Sequence, residues 1–262
     1  MRYLRRNEVC MYYEETGEGK PLIFLHGLGG DRNQPGELLT RLKGVRLIMP
    51  DQRAHGKSEI MGESIITFDE MADDIIALAD SLQLASFALG GISMGAGVAA
   101  NIAYRYPKRI EKLILVRPAW TDGPMDEEAA LWYRTLADYL EKKDLEGYRE
   151  SEVFGSVLRK DSKAADSMIK AFTDPASVKY YDKFKLIPSQ CPYGTIENLK
   201  KIEAPAIVLA NRYDHIHKYA YGQLYMDYLE NGIFHEIVSK AVSQEGHKAD
   251  LNAYISFYMN LK

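Results

Sequence analysis

Cysteine is scarce in this chain, whose 262 residues include only Cys10 and Cys191. Two cysteines so far apart in sequence do not provide the framework of disulfides that stabilises small secreted domains. Neither lies in a C-x-x-C pair or at the spacing of metal ligands. We therefore interpret both as buried or incidental thiols, and the sequence predicts no metal site.

Long apolar runs and an excess of basic charge are also missing. No stretch approaches the roughly 18 apolar residues of a membrane-spanning helix, and the N-terminal segment lacks the apolar core of a signal peptide. The 33 basic and 37 acidic side chains give a formal net charge of −4. These absences predict no nucleic-acid or membrane partner. We expect a cytoplasmic protein, and its oligomeric state stays open.

Short apolar runs that alternate with helical segments are the main pattern that is present. A hairpin is predicted over residues 2–14, and the later runs lie at 22–25, 45–49, 87–92, 113–116, 206–209 and 233–238. Strands separated by helices predict an α/β fold, with a mostly parallel sheet and helices on both faces. One helix start is marked by Thr67 and Glu70, which have the spacing of a capping box.

This alternation stops between residues 120 and 196. The segment contains no run that suits a strand of the sheet, and its apolar residues recur at helical intervals over 129–140 and 165–172. We interpret residues 120–196 as a helical cap that is inserted into a core domain, which consists of residues 1–119 and 197–262.

A G-x-S-x-G pattern occupies residues 91–95, between the predicted strand 87–92 and a small-residue helix. The apex of so sharp a turn needs a positive φ angle, and the positions two residues before and after it have little room for side chains. Gly91 and Gly95 meet this need. Ser93 is therefore the candidate nucleophile, with an ordinary turn serine as the alternative.

A serine nucleophile needs a base and a carboxylate that orients the base. His247 follows the last predicted strand and precedes the last helix, whereas Asp214 directly follows the run 206–209. Both are thus expected at the carboxyl ends of the strands, where open α/β sheets bind ligands. Asp122, which follows the run 113–116, is the alternative acid.

Three other histidines receive other interpretations. His215 and His217 have the spacing of a metal-binding H-x-H pair, but no further ligands lie nearby in sequence, so we expect solvent-facing loop residues. His26 is expected to order its own loop. That loop, after the run 22–25, has glycines that allow close backbone approach, and we expect the amides of Leu28 and Met94 to stabilise an oxyanion.

These motifs resemble the α/β-hydrolase superfamily, in the branch that has an H-G-x-G oxyanion loop and a helical cap. The segment Asp51-Gln52-Arg53-Ala54-His55-Gly56-Lys57-Ser58 is similar to the family's D-x-R-G-x-G-x-S loop. The resemblance implies an eight-stranded sheet, and a triad of Ser93, Asp214 and His247 with an oxyanion hole at Leu28 and Met94. Ala54 in place of the usual glycine is one departure, and Arg117, at the end of a strand, is another.

The sequence therefore predicts a serine hydrolase that cleaves a carboxylic ester or a related small acyl substrate through an acyl-enzyme, without a cofactor. Among the cap aromatics, we expect Trp120, Trp132 and Tyr181 to bind substrate and to favour compact, largely apolar acyl groups. Lactonases, thioesterases, acyltransferases and carbon–carbon bond hydrolases share the triad and stay open as alternatives. A ligand receptor or signalling protein on the same fold is the alternative outside the enzymes.

Overall fold

A hairpin forms one edge of the sheet. The computed structural model describes residues 2–40, 42–62 and 65–261, and it begins with antiparallel strands β1 (Arg2–Arg6) and β2 (Val9–Thr16). Asn7 has a φ of 51°, a left-handed conformation that asparagine tolerates and that a two-residue hairpin turn requires. The predicted hairpin is therefore present, with its turn at Asn7 and Glu8.

The other strands extend this hairpin into one mixed sheet. They are β3 (Lys20–Leu25), β4 (Val45–Pro50), β5 (Glu59–Ile60), β6 (Phe87–Ile92), β7 (Ile110–Val116), β8 (Ala206–Ala210) and β9 (Gly232–Glu236). The strand order is β1-β2-β4-β3-β6-β7-β8-β9, and β4, β3 and β6 to β9 run parallel. The predicted fold class is confirmed. The described residues form nine strands rather than eight, because the two-residue β5 pairs with β2.

Helices cover both faces of this sheet. The α-helices are α1 (Asn33–Leu38), α2 (Phe68–Ser81), α3 (Met94–Arg105), α4 (Glu127–Lys142), α5 (Leu145–Glu150), α6 (Glu152–Lys160), α7 (Ser162–Ala171), α8 (Pro175–Lys179), α9 (Lys183–Leu186), α10 (Tyr219–Tyr225) and α11 (Gln244–Asn260). The apolar sides of α2 and α3 pack on one face, and those of α1 and α11 pack on the other. Across the described ranges, no helix has the length and apolar character needed to cross a membrane.

The helix α2 begins at the predicted cap. The Thr67 hydroxyl accepts a hydrogen bond from the backbone N–H of Glu70 at 3.2 Å. The carboxylate of Glu70 instead accepts hydrogen bonds from Arg6 and Arg53, which ties the start of α2 to β1. Only the threonine half of the capping box is therefore a local interaction.

The segment 120–196 lies between β7 and β8 and contains helices α4 to α9, which we call the helical cap. Three hydrogen bonds join the two ends of this segment and form what we call the neck: Met125 N–H to the Pro188 carbonyl at 2.9 Å, Tyr193 O–H to the Thr121 carbonyl at 2.5 Å, and Ile196 N–H to the Asp122 carboxylate at 2.9 Å. Asp122, the alternative acid, thus serves to hold the neck.

Candidate active site

Ser93 lies at the sharp turn between β6 and α3. Its φ and ψ are 57° and −117°, a conformation that side chains adopt only when the surroundings enforce it. A Cβ on Gly91 would lie 2.2 Å from the Gly95 backbone, and a Cβ on Gly95 would lie 2.4 Å from the Leu25 carbonyl oxygen. The two glycines are therefore required by close backbone packing, as the motif predicts.

His217 is the histidine that contacts Ser93. Its Nε2 lies 2.8 Å from Ser93 Oγ, and its Nδ1 lies 2.8 Å from Asp214 Oδ1. The three side chains form a continuous hydrogen-bonded row, and the ring of His217 is only 10% exposed. Our interpretation of His217 as a solvent-facing loop residue is wrong, because its ring turns inward onto the carboxylate of Asp214.

The backbone between Asp214 and His217 explains this inward turn. The N–H of His217 donates to Asp214 Oδ1 at 2.9 Å, so one carboxylate oxygen holds both the backbone and the ring of the residue three positions later. Aspartate side chains commonly close such short turns. The D-x-x-H spacing is the signal in the sequence that could have indicated this pairing.

His247, the predicted base, does not contact Ser93. It lies in the first turn of α11, and its Nδ1–H donates to the Val238 carbonyl at 2.7 Å. The residue is 1% exposed, and its Nε2 has no hydrogen-bond partner among the described residues. Burial, followed by the nearby charge of Arg117, lowers the pKa of His247 to about 3. In this geometry His247 is a neutral, buried ring, because the helix begins early enough to take it out of the loop.

Asp214 also pairs with Arg117, whose Nη1 lies 3.1 Å from Asp214 Oδ2. Burial alone would raise the pKa of Asp214, but the charge and hydrogen bonds of His217, together with Arg117, hold it well below its ordinary value. Asp214 is therefore an ionised acceptor at neutral pH. Arg117, one of the two departures from the family pattern, stabilises that charge.

The loop that follows β3 contains the predicted oxyanion amide of Leu28, and we call it the oxyanion loop. Its neighbouring amides are occupied: Gly27 N–H donates to Gln34, Gly29 N–H donates to His55, and Gly30 N–H donates to the Gly27 carbonyl. Within the described residues, the N–H groups of Leu28 and Met94 have no acceptor. These two amides are thus free to donate to a ligand near Ser93.

Two buried histidines stabilise this loop through hydrogen bonds. His26 donates from Nδ1 to the Gly27 carbonyl and accepts the N–H of Gln52 at Nε2. His55 accepts the N–H of Gly29 at 3.2 Å. Burial lowers the pKa of both rings, so both stay neutral and can accept. The oxyanion loop is therefore fixed to the segment 51–58.

Lys183 joins the helical cap to the same segment. Its side chain, fully buried, donates from Nζ to the Ala54 carbonyl at 2.8 Å. Ala54, which replaces the usual glycine, has a φ of 64°. Burial lowers the pKa of Lys183 to about 7. The cap thus contacts the loop that supports the oxyanion amides.

A cavity of about 170 Å³ contains Ser93 and His217. Its wall from the cap includes Tyr133, Leu136, Asp161, Lys163, Ala164, Ser167, Met168, Ala171 and Phe184. This volume is below the roughly 300–1,000 Å³ of pockets for drug-sized ligands. The cavity therefore has room only for a small ligand.

The three aromatics predicted to bind substrate do not line this cavity. Trp120 packs edge-on against Phe68 with ring centroids 5.2 Å apart, and Trp132 stacks on His215 at 5.1 Å. The hydroxyl of Tyr181 donates to the exposed Glu141. The prediction is wrong because helical periodicity shows which face of a helix is buried, but not which neighbour buries it.

His215 and His217 do not form a metal pair. His215 Nε2 contacts Glu128 at 2.7 Å, whereas His217 contacts Asp214 and Ser93. In the ranges that the structure describes, no three histidine, cysteine or acidic side chains converge at the geometry of a metal site.

Comparisons with known proteins identify the family to which this fold belongs. A family model described as the alpha/beta hydrolase fold matches residues 20–241. The chain is 37% identical over 131 residues to an AB hydrolase superfamily protein, YisY, of Bacillus subtilis, which covers 47% of this chain and 48% of that protein. It is 29% identical over 220 residues to Lipase 3 of a Moraxella species, which covers 76% of this chain and 70% of the lipase. The chain spans about half, or less, of the length of the first curated relatives it matches.

Solved structures share the whole architecture at low sequence identity. The enol-lactonase from Burkholderia xenovorans LB400 is similar with a TM-score of 0.75 and 18% identity, over 98% of this chain and 97% of that one. A thermophilic esterase from Thermogutta terrifontis is similar with a TM-score of 0.74 and 22% identity, over 95% and 94% of the two chains. With the parallel sheet, the Ser93 turn and the family match over residues 20–241, the chain belongs to the alpha/beta hydrolase fold family.

Proposed function

We propose that this protein is a serine hydrolase, and that it cleaves a carboxylic ester or a related small acyl compound through an acyl-enzyme on Ser93. The observation that carries the proposal is the hydrogen-bonded row of Ser93, His217 and Asp214, with two contacts of 2.8 Å. A serine hydroxyl becomes a useful nucleophile when a base of this kind lies within hydrogen-bond reach. The partner is a small-molecule acyl substrate.

The tautomer of His217 follows from the charge of Asp214. An ionised carboxylate can only accept, so Nδ1–H of His217 donates to Asp214 and Nε2 accepts the Ser93 O–H. During attack, Ser93 Oγ bonds to the substrate carbonyl carbon while its proton moves to Nε2. The resulting imidazolium is stabilised by Asp214.

The remaining steps use the same groups. The N–H groups of Leu28 and Met94 donate to the oxyanion of the tetrahedral intermediate. His217 then gives its proton to the leaving alcohol as the carbon–oxygen bond breaks. Water attacks the acyl-enzyme, its proton passes to His217, and collapse of the second intermediate returns the proton to Ser93 and releases the acid.

A labelling experiment combined with turnover tests this proposal. A fluorophosphonate reagent should modify Ser93, identified by peptide mass, and the enzyme should turn over p-nitrophenyl butyrate many times per active site. Ser93→Ala should abolish both without changing the circular dichroism spectrum. Labelling of Ser93 without repeated turnover would favour the ligand-receptor alternative, and activity of Ser93→Ala within threefold of the wild type would end the proposal.

A further inference from the structure

The cavity around Ser93 is lined by five charged residues: Arg117, Asp161, Lys163, Asp214 and Lys240. Both carboxylates are already engaged by the protein. Asp214 binds His217 and Arg117, and Asp161 accepts the N–H of Ala164 at 2.9 Å as the N-cap of α7, and that of His215 at 3.3 Å. Neither carboxylate lies within 4.0 Å of the Lys240 ammonium, although both act on its charge from farther away.

Lys240 differs from the other cations of this wall. It lies in the loop between β9 and α11, where it is half-buried. Within the described part of the chain, its ammonium has no hydrogen bond, no carboxylate within 4.0 Å and no aromatic ring beneath it. Lys163, by contrast, lies 3.7 Å from Asp166, and Arg117 is paired with Asp214.

An ammonium that is partly desolvated and unpaired is unfavourable, and a bound anion would relieve this cost. The cations and anions that act on Lys240 come from several elements: Arg117 after β7, Asp214 after β8 and Asp161 at the start of α7. His247 on α11 also lies within range of its charge. Arg117, followed by burial, lowers the pKa of Lys240 to about 7.

We propose that Lys240 is a specificity-determining residue that binds an ionised carboxylate on the acyl part of the substrate. The substrate class is then a short half-ester of a dicarboxylic acid, whose ester carbonyl lies at Ser93 while its free carboxylate meets Lys240. The inference rests on the proposed function, and the cavity volume of about 170 Å³ keeps the acyl chain short. It replaces our expectation, from the sequence, of largely apolar acyl groups.

Matched esters test the proposal by kinetics. Monomethyl glutarate carries the acyl carboxylate, and methyl valerate is its neutral counterpart of equal chain length. The kcat/KM values of both esters are measured by pH-stat titration at pH 6.5. In the wild type their ratio should favour the anionic ester. Lys240→Met should lower this ratio by about tenfold, mainly through KM, whereas Lys240→Arg should keep it.

Two controls separate this effect from general changes. Lys108→Met removes an exposed lysine that precedes β7, at the opposite ends of the strands, and should leave the ratio unchanged. A second pair moves the charge to the leaving group: 4-acetoxybenzoate carries a carboxylate there, and methyl 4-acetoxybenzoate is its neutral counterpart. If Lys240→Met changes only the ratio of this second pair, or neither ratio, the proposed acyl-side subsite is wrong.

A binding measurement decides the question even without turnover. Glutarate is titrated calorimetrically into Ser93→Ala at pH 6.5 and pH 8.5. Because Lys240 loses its charge as the pH rises through about 7, affinity should fall about tenfold between these values. Adding Lys240→Arg should remove the pH dependence, since arginine stays protonated. No binding, or a pH dependence that survives Lys240→Arg, would overturn the proposal. Absence of Ser93 labelling would instead overturn only the hydrolase function.

Discussion

Two histidines near Ser93 differ in what surrounds them. His217 is hydrogen-bonded on one side to Ser93 and on the other to Asp214. His247 is buried more deeply, and its Nδ1 is held by the Val238 carbonyl. The Nε2 of His247 has no hydrogen-bond partner among the described residues, whereas the contact with Ser93 Oγ is made by His217. Geometry therefore favours His217, whereas the order of residues along the chain favours His247.

The first prediction decides between these bases. His217→Gln should lower kcat for p-nitrophenyl butyrate by about 10³-fold or more, because glutamine cannot take the proton of Ser93. His247→Gln should change kcat by less than about tenfold, since its ring touches neither Ser93 nor Asp214. Thermal unfolding of both variants controls for misfolding. If His247→Gln causes the larger loss of kcat, the base is His247, as the sequence predicts.

The second prediction concerns the acid. Asp214→Asn should lower kcat by about 10⁴-fold, because an amide stabilises neither the required tautomer nor the imidazolium. Asp122→Asn should leave kcat close to that of the wild type, since the amide oxygen can still accept the N–H of Ile196. Steady-state kinetics on both variants provides the measurement. A larger effect at Asp122 would move the acid to the neck.

Individual residues differ in how far the sequence could predict them. Ser93 and its two glycines could be recognised because the constraint on a sharp turn is local. Asp214 could be located because it directly follows a strand. The inward turn of His217 depends on a side-chain hydrogen bond to Asp214. The hydrophobic pattern does not predict such a bond.

At the level of elements, the sequence predicts the strands more readily than it predicts the wall of the cavity. The strands β6 and β8 are buried on both faces, so each is one short apolar run in the sequence. The cap helices show equally clear periodicity, but their apolar residues are divided between packing and the cavity. Leu136 lines the cavity, while Leu140, one turn later, does not.

The difference between Leu136 and Leu140 leads to the third prediction. Leu136→Ala should enlarge the cavity and raise the kcat/KM ratio of octanoyl to acetyl esters by about tenfold, since contacts of a few methylenes are worth about 1–3 kcal/mol. Leu140→Ala is the matched control, because it removes an equally buried leucine from the same helix. Both should lower the free energy of unfolding by about 2–5 kcal/mol. Equal chain-length profiles in the two variants would mean that α4 does not limit the acyl group.

The whole molecule carries a buried lysine that makes its stability depend on pH. Lys183 has a pKa of about 7 in the folded protein, whereas an unfolded lysine titrates near 10.4. Between these values the unfolded chain binds more protons, so this residue lowers the free energy of unfolding as the pH falls from about 10 to 7. The largest possible slope from one such group is about 1.4 kcal/mol per pH unit.

The fourth prediction isolates this contribution. Lys183→Met keeps an unbranched side chain but removes the titrating group, so its free energy of unfolding should rise relative to the wild type as the pH falls from 9.5 to 7.5. Urea unfolding at several pH values measures the difference. Lys240 also titrates in this range, but it is present in both proteins and cancels. Parallel stability curves for the two proteins would show that Lys183 stays protonated in the fold.

The neck has a consequence for how such a protein diversifies. The chain enters and leaves the helical cap through the neck, and the hydrogen bond of the neck nearest to the cap helices joins Met125 to Pro188. Ser93, Asp214 and His217 all follow strands outside the neck. Replacement of the residues between Met125 and Pro188 by another insertion would therefore change the wall that the cap contributes to the cavity. Such an exchange would alter the range of substrates in one step. Ser93, Asp214 and His217 would be retained, because they lie outside the exchanged segment.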